Sequence, residues 1–328
     1  MLTRREALLL CAGGALAATR TLAAAVPGRA LNAADVHVSG YPTVEAVRWI
    51  GERLAAATGG ELGIRVYHSG QLGREQDTVE MARFGAIDLT RVNFAALNNA
   101  FPLTGVAALP YVFDSVEHMR RAMDGEPGRR ILEDFSRRDL VGLAIYDSGV
   151  RCVYNVRRPI HRPADLVGLK IRVPPSDIFI EIGRALGANP TPLPFGEVYS
   201  SLQTHLIDGA ENNIRSFHSS RQFEVARYWS ETLHSYSPEA LLLSRRTFDR
   251  LGTGERDLLL RLARESVPVM RVLWDEAEAA SRSFVTEAGV QLNDVDLDEF
   301  HKATAPMVQA RLGTPPLRRL YDDIRGLA

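Results

Sequence analysis

Hydrophobic and polar positions along this chain follow two periods that alternate from segment to segment. Residues 35–38 (Asp-Val-His-Val) alternate with period two and predict a first strand leading into the turn Ser39-Gly-Tyr-Pro. Thr43 then reads as the cap of an amphipathic helix over 44–57, with Val47, Ile50 and Leu54 on one face and Thr58-Gly-Gly ending it. A strand over 62–67, a loop over 68–73, a helix over 75–84 stopping at Gly85, and a strand over 86–89 follow. Strand, helix, strand, helix, strand predicts an α/β fold with a largely parallel sheet.

The pattern has an echo further on. Residues 80–89 end a helix, pass through Ile87-Asp88 into a short strand and reach Asn93; residues 200–209 pass through Ile207-Asp208 and reach Asn212-Asn213. Either two βαβ units resemble each other by chance, or the chain holds two lobes of like topology. In the second case their strand ends face one another across a cleft, where ligands of open α/β sheets sit. Helices over 116–123 and 126–135, strands over 140–146, 147–155 and 169–173, and a helical run over 216–228 fill the interval. Strands over 233–237 and 241–244 precede a helix that Thr253 caps, with Glu255 and Asp257 in its first turn. That helix runs to Gly289, is expected to kink at Pro268, and at roughly 50 Å exceeds one lobe. The resulting division is 1–25 leader, 26–148 first lobe, 149–236 second lobe, 237–254 return strands, 255–289 lobe-spanning helix and 290–328 helical tail.

Composition narrows the function. A net charge of -1 over 328 residues leaves no basic excess for nucleic acid, and no run predicts membrane insertion of the mature chain. Arg4-Arg5, the apolar run 7–18 and Ala23-Ala24-Ala25 predict an export leader, of the twin-arginine type or the general secretory type. The twin-arginine route is favoured by Thr3-Arg4-Arg5 and by Arg20, and the mature protein is expected in the periplasm. Cleavage removes Cys11 and leaves Cys152 without a disulfide partner.

Candidate chemistry concentrates between Gly168 and Asn213. Arg172 ends an apolar strand before Pro174-Pro175, where its planar fork suits a ligand carboxylate or, equally, an internal acid. Arg151, set among Val150, Cys152 and Val153, carries the same ambiguity. Phe195 can wall a ligand's carbon skeleton or simply fill a core, and Asn212, Asn213 and Asn93 can serve ligand hydroxyls or cap turns. Glu211 and Glu197 are expected to hold the arginines in place. No nucleophile elbow, zinc-binding pair, phosphate loop or dinucleotide fingerprint is present, and no cofactor is implied. The residues are poorly suited to breaking a covalent bond.

Several segments together resemble the DctP-type solute-binding subunits of tripartite ATP-independent periplasmic (TRAP) transporters. They are Ser69-Gly-Gln-Leu-Gly, Phe84-Gly-Ala-Ile-Asp, Ala108-Leu-Pro-Tyr-Val-Phe, Leu166-Val-Gly-Leu-Lys-Ile-Arg-Val-Pro, Ile207-Asp-Gly-Ala-Glu-Asn and the run 187–203. His205 departs from the family's usual glycine. The resemblance implies a two-lobed, type II-like clamshell, each lobe a mixed, mostly parallel sheet flanked by helices. It also implies an organic-acid ligand delivered to small and large membrane subunits. Arg172 then matches the family's carboxylate-pairing arginine, Arg151 a second carboxylate-facing one, Asn212 a polar contact and Phe195 an aromatic wall. Gly40-Tyr-Pro-Thr-Val-Glu-Ala-Val and Glu211-Asn-Asn look similar to a hexuronate-associated branch. A C4-dicarboxylate is the alternative ligand; partnership with a sensor kinase, or a periplasmic enzyme, are alternatives of other classes. His37, Tyr41, Gln71, Glu75, Asp77 and Asn93 are expected to serve hydroxyls, and acids among them would repel a second carboxylate.

Overall fold

The computed structural model describes residues 28–328, so the expected leader lies outside the described residues. Two sheets are present, and the chain visits them in turn. The first sheet has the order β2-β1-β3-β10-β4, built from β1 (Arg29–Ala34), β2 (Leu62–Tyr67), β3 (Leu89–Asn93), β4 (Leu140–Tyr146) and β10 (Glu239–Ser244). The second has the order β11-β9-β5-β8-β6-β7. It comprises β5 (Arg151–Asn155), β6 (Lys170–Val173), β7 (Asn189–Pro192), β8 (Gly209–Asn212), β9 (Tyr228–Ser235) and β11 (Gln291–Asn293).

The echo in the sequence is an echo in topology. In the first sheet β1 lies parallel to β2 and β3, and β3 pairs antiparallel with β10. In the second β6 lies parallel to β7 and β8, and β8 pairs antiparallel with β5. Each unit also ends alike. Asn93 Oδ1 accepts from Ala95 N at 2.9 Å, and Asn213 Oδ1 from Ser216 N at 2.6 Å, so both asparagines cap the helix that follows. The carboxyl ends of β1, β3, β6 and β8 thereby converge.

Several boundaries differ from the sequence pattern. The first strand is Arg29–Ala34, not 35–38, because Asp35 turns its carboxylate onto His37 N and Thr43 Oγ1 and folds that stretch into a loop. Thr43 therefore caps nothing; the helix Pro42–Ala57 starts on proline, whose missing donor is no loss there. Residues 86–88 are not a strand either. Gly85, at φ +77°, closes the helix Glu75–Phe84, and Ala86 N still bonds back to Met81 O, so pairing begins at Leu89. Arg221, at φ +59°, breaks the expected helix over 216–228 into Ile214–Ser219 and a short turn, and Tyr228 already belongs to β9.

The long helix is Thr253–Glu287, 35 residues with Pro268 inside it. Its cap is Gly252, whose N–H donates to Glu255 at 2.8 Å, rather than Thr253. It packs on the helix Pro42–Ala57 and on β4 beside the first sheet, and on Ile214–Ser219 beside the second. Leu259, Leu262, Met270 and Trp274 join the core of Val44, Ile50 and Leu54, whereas Val285 joins that of Phe217 and Trp229. One helix thus ties two cores together.

Gly209, at the start of β8, lies against β5 so closely that a Cβ would sit 2.7 Å from Asn155 Cβ and against the Tyr154 carbonyl. Gly209→Ala is expected to lower stability by about 1–3 kcal/mol, seen as a lower urea midpoint at unchanged m-value. An unchanged midpoint would contradict this packing.

Candidate ligand-binding site

Where the two sheets' carboxyl ends meet, a cavity of about 280 Å³ opens. His37, Glu75, Asn93 and Glu239 line it from the first sheet's side, and Arg151, Arg172, Phe195 and Asn212 from the second. Seven of these eight were singled out in the sequence; Glu239 was not. The other four expected residues lie off the cavity surface. Tyr41 is fully buried behind His37, its ring stacked at 3.7 Å, and shares a 2.9 Å hydrogen bond with Ser216 Oγ. Asp77 accepts from Arg74 N at the helix start, Asn213 is occupied as a cap, and Gln71 is exposed on its loop.

The two arginines that the sequence left ambiguous resolve in opposite ways. Arg151 is 3 % exposed and paired through Nε and Nη2 with Glu211 at 2.6 and 2.8 Å, while Nη1 reaches Asn212 Oδ1 at 3.2 Å. Burial alone raises the Glu211 carboxyl, but Arg151 and His234 outweigh it and hold it down at about 2. Arg172 is 2 % exposed, and its Nε donates to Leu193 O at 2.8 Å. Among the described residues no carboxylate lies in ion-pair range of it. Burial pushes its guanidinium down to about 10, although Glu211 and Tyr154 work against the shift. Prolines 174 and 175 end β6 directly after Val173, which leaves the Arg172 fork facing the cavity instead of another strand.

The opposite wall is acidic. Arg91, fully buried in β3, donates to both oxygens of Asp35, to Glu239 at 3.0 Å and to Glu75 at 3.2 Å. Burial works to raise the Glu239 carboxyl, yet Arg91 and His37 bring it down to about 2. For Glu75 burial prevails, and its carboxyl is raised. His37 Nε2 lies 3.8 Å from Glu239 Oε1, and His37 Nδ1 is buried with no hydrogen-bond partner among the described residues. The sequence signal for this network is slight: a lone arginine within Leu89-Thr-Arg-Val-Asn and a lone glutamate before Ala240-Leu-Leu-Leu.

Two contacts cross between the sides. Phe195 meets the His37 ring edge-on at 5.1 Å. Glu197, expected to steady an arginine of its own side, instead pairs with Arg74 across the cleft at 2.7 Å. Cys152 is no candidate nucleophile. It is fully buried, its Sγ 3.3 Å from Glu231 Oε2, and burial together with that carboxylate raises its thiol.

Comparison with known families places the chain. The pattern of the bacterial extracellular solute-binding proteins, family 7 (DctP), matches residues 33–312. The chain belongs to this family. A solute-binding protein of Chromohalobacter salexigens is 36% identical over 89% of this chain and 87% of its own. The 2,3-diketo-L-gulonate-binding periplasmic protein YiaO of Escherichia coli is 33% identical, covering 80% and 81%. Among solved structures, a TRAP periplasmic solute-binding protein from Bradyrhizobium sp. BTAi1 in complex with α/β-D-galacturonate superposes at TM-score 0.89. It is 47% identical, over 91% of this chain and 100% of that one. One from Xanthobacter autotrophicus Py2 with bound β-D-galacturonate gives 0.88 at 41% identity, over 90% and 99%. As a DctP-type protein the chain is a periplasmic TRAP solute-binding subunit with a clamshell fold, and the family is one of transport proteins. No helix among the described residues is long and apolar enough to cross a membrane.

The charge pattern of this DctP-type site predicts acid sensitivity. Glu211 and Glu239, each at about 2 in the fold, lie below their unfolded values. The unfolded chain therefore binds more protons over that interval, and stability falls as pH drops from about 4.5 towards 2, by up to about 1.4 kcal/mol per unit for each carboxyl. Glu211→Gln should flatten this acid limb and, by stranding Arg151, lower neutral-pH stability by about 3–5 kcal/mol. Denaturant titrations at several pH values check both; an unchanged acid limb would contradict the pairing.

Proposed function

We propose that this chain captures a hexuronate, galacturonate or glucuronate, in the periplasm and hands it to the TRAP membrane subunits. The observation that carries the reading is Arg172: a buried guanidinium without a counter-ion among the described residues, facing a cavity whose far wall is lined by carboxylates. The ligand's carboxylate takes the Arg172 fork, with Asn212 beside it and Phe195 along its carbon skeleton. Its hydroxyls turn towards His37, Glu75 and Asn93, which suit them as donors and acceptors. A C4-dicarboxylate fits less well, because its second carboxylate would approach Glu75 and Glu239. The relatives with bound galacturonate or glucuronate support the same choice.

The lobes we assign are residues 26–148 and 149–236, with the segments between the sheets as hinges and the leader exporting by the twin-arginine route. Ligand bound between the walls favours closure because it touches both, and only such differential contact shifts an open–closed balance.

Calorimetric titration tests the reading. Galacturonate or glucuronate should bind, and succinate and malate should not. Arg172→Ala should weaken hexuronate binding by about 2–5 kcal/mol, roughly 30-fold or more, with the far-ultraviolet circular dichroism of the parent. Tight succinate binding without any hexuronate binding would contradict the proposal, and full affinity in Arg172→Ala would make that arginine structural.

A further inference from the structure

The acidic wall holds more negative charge than its own cations balance. Asp35, Glu75 and Glu239 all pair with the single guanidinium of Arg91. Three carboxylates against one guanidinium leave a formal excess of two negative charges, with Asp35, Arg91 and Glu239 each at most 4 % exposed. Across the cavity the cluster faces two cations of the second sheet, Arg172, which feels Glu75, and Arg151, which feels Glu239, and Tyr146 of β4 is close enough to feel Asp35. His37 and Tyr41 come from the loop after β1, and Arg215, from the helix Ile214–Ser219, sits 5.5 Å over the Tyr41 ring.

The three acids are not equally committed to the anionic form. Asp35 accepts from Arg91 twice, from His37 N at 2.8 Å and from Thr43 Oγ1 at 3.2 Å. Glu239 accepts from Arg91 at 3.0 Å and from Ser148 Oγ at 3.0 Å. Glu75 uses one oxygen only: Oε1 accepts from Arg91 Nη1 at 3.2 Å and from Asn93 N at 2.9 Å. Its Oε2 has no protein partner among the described residues, and the side chain borders the cavity.

We propose that Glu75 takes up a proton on Oε2 when a hexuronate binds, so that ligand capture is coupled to proton uptake. The inference rests on the hexuronate reading of the site. An incoming carboxylate neutralises Arg172, whose charge across the cavity favours ionised Glu75, and the ligand's body displaces solvent from the Glu75 side chain; both favour its neutral form. The proton comes from solvent and no other bond changes. Protonated Glu75 keeps Oε1 as acceptor for Arg91 and Asn93 and presents an O–H donor to a ligand oxygen. The raised carboxyl of Glu75 in the empty site points the same way. Binding linked to uptake weakens as pH rises, by at most about tenfold per unit for one proton.

Isothermal titration of the mature protein with D-galacturonate, in buffers of different ionisation enthalpy between pH 5 and 8, counts the protons exchanged. A net uptake of up to one proton per ligand is expected, with weaker affinity on the alkaline side. Glu75→Gln should abolish the uptake and flatten the pH dependence, whereas His37→Gln, which loses a ligand contact and binds more weakly, should retain the uptake per ligand bound. Binding with no proton exchange across this range overturns the inference and leaves the hexuronate reading standing. Undiminished uptake in Glu75→Gln, or its loss in His37→Gln alone, overturns it too. Absence of binding to any hexuronate overturns the reading itself and the inference with it.

Discussion

A guanidinium buried to 2 % exposure without a counter-ion destabilises a fold unless something outside the chain completes it, and Arg172 is such a group. Its neighbours make the point by contrast. Arg151 is matched by Glu211, and Arg91 by three acids. Arg151 and Arg172 both border the cavity, yet of these two only Arg172 faces it without an acid of the described residues in ion-pair range. The ligand carboxylate is the missing partner in this account, and breaking such a pair on one side is strongly unfavourable.

The fold exists to hold that imbalance across a gap. Two sheets of like order bring four strand ends together, and each unit fixes its last strand with an asparagine cap. One side presents an open positive charge, the other an excess of negative charge. On the proposed reading a monocarboxylate polyol would satisfy both at once, its carboxylate on Arg172 and its hydroxyls on the acidic wall of a cavity of about 280 Å³. The helix Thr253–Glu287 packs on elements of both sides, so motion between them must be absorbed in the segments that cross between the sheets.

How much of this the sequence discloses follows from the range of each interaction. Signals that are local were legible: the helix Glu75–Phe84 between its acids and Gly85, β4, the arginine at a strand end before two prolines, and the helix–strand echo. Family motifs added the fold. The Arg91 cluster was not legible, because its partners lie 56 and 148 residues away and no periodicity links them. The first strand was misplaced for a related reason. Ala33 and Ala34 are too small to register as an apolar stripe, and the more patterned stretch after them is folded into a loop by the Asp35 carboxylate. Even the two arginines looked alike until the position of Glu211 opposite Arg151 separated them.

A crystal structure of the protein with D-galacturonate bound tests the central claim most directly. The ligand carboxylate is expected within hydrogen-bond distance of both terminal nitrogens of Arg172, with the ring hydroxyls turned to the wall of Glu75 and His37. A reversed ligand, with its carboxylate on the Glu75 side and Arg172 engaged by a protein carboxylate, would contradict it.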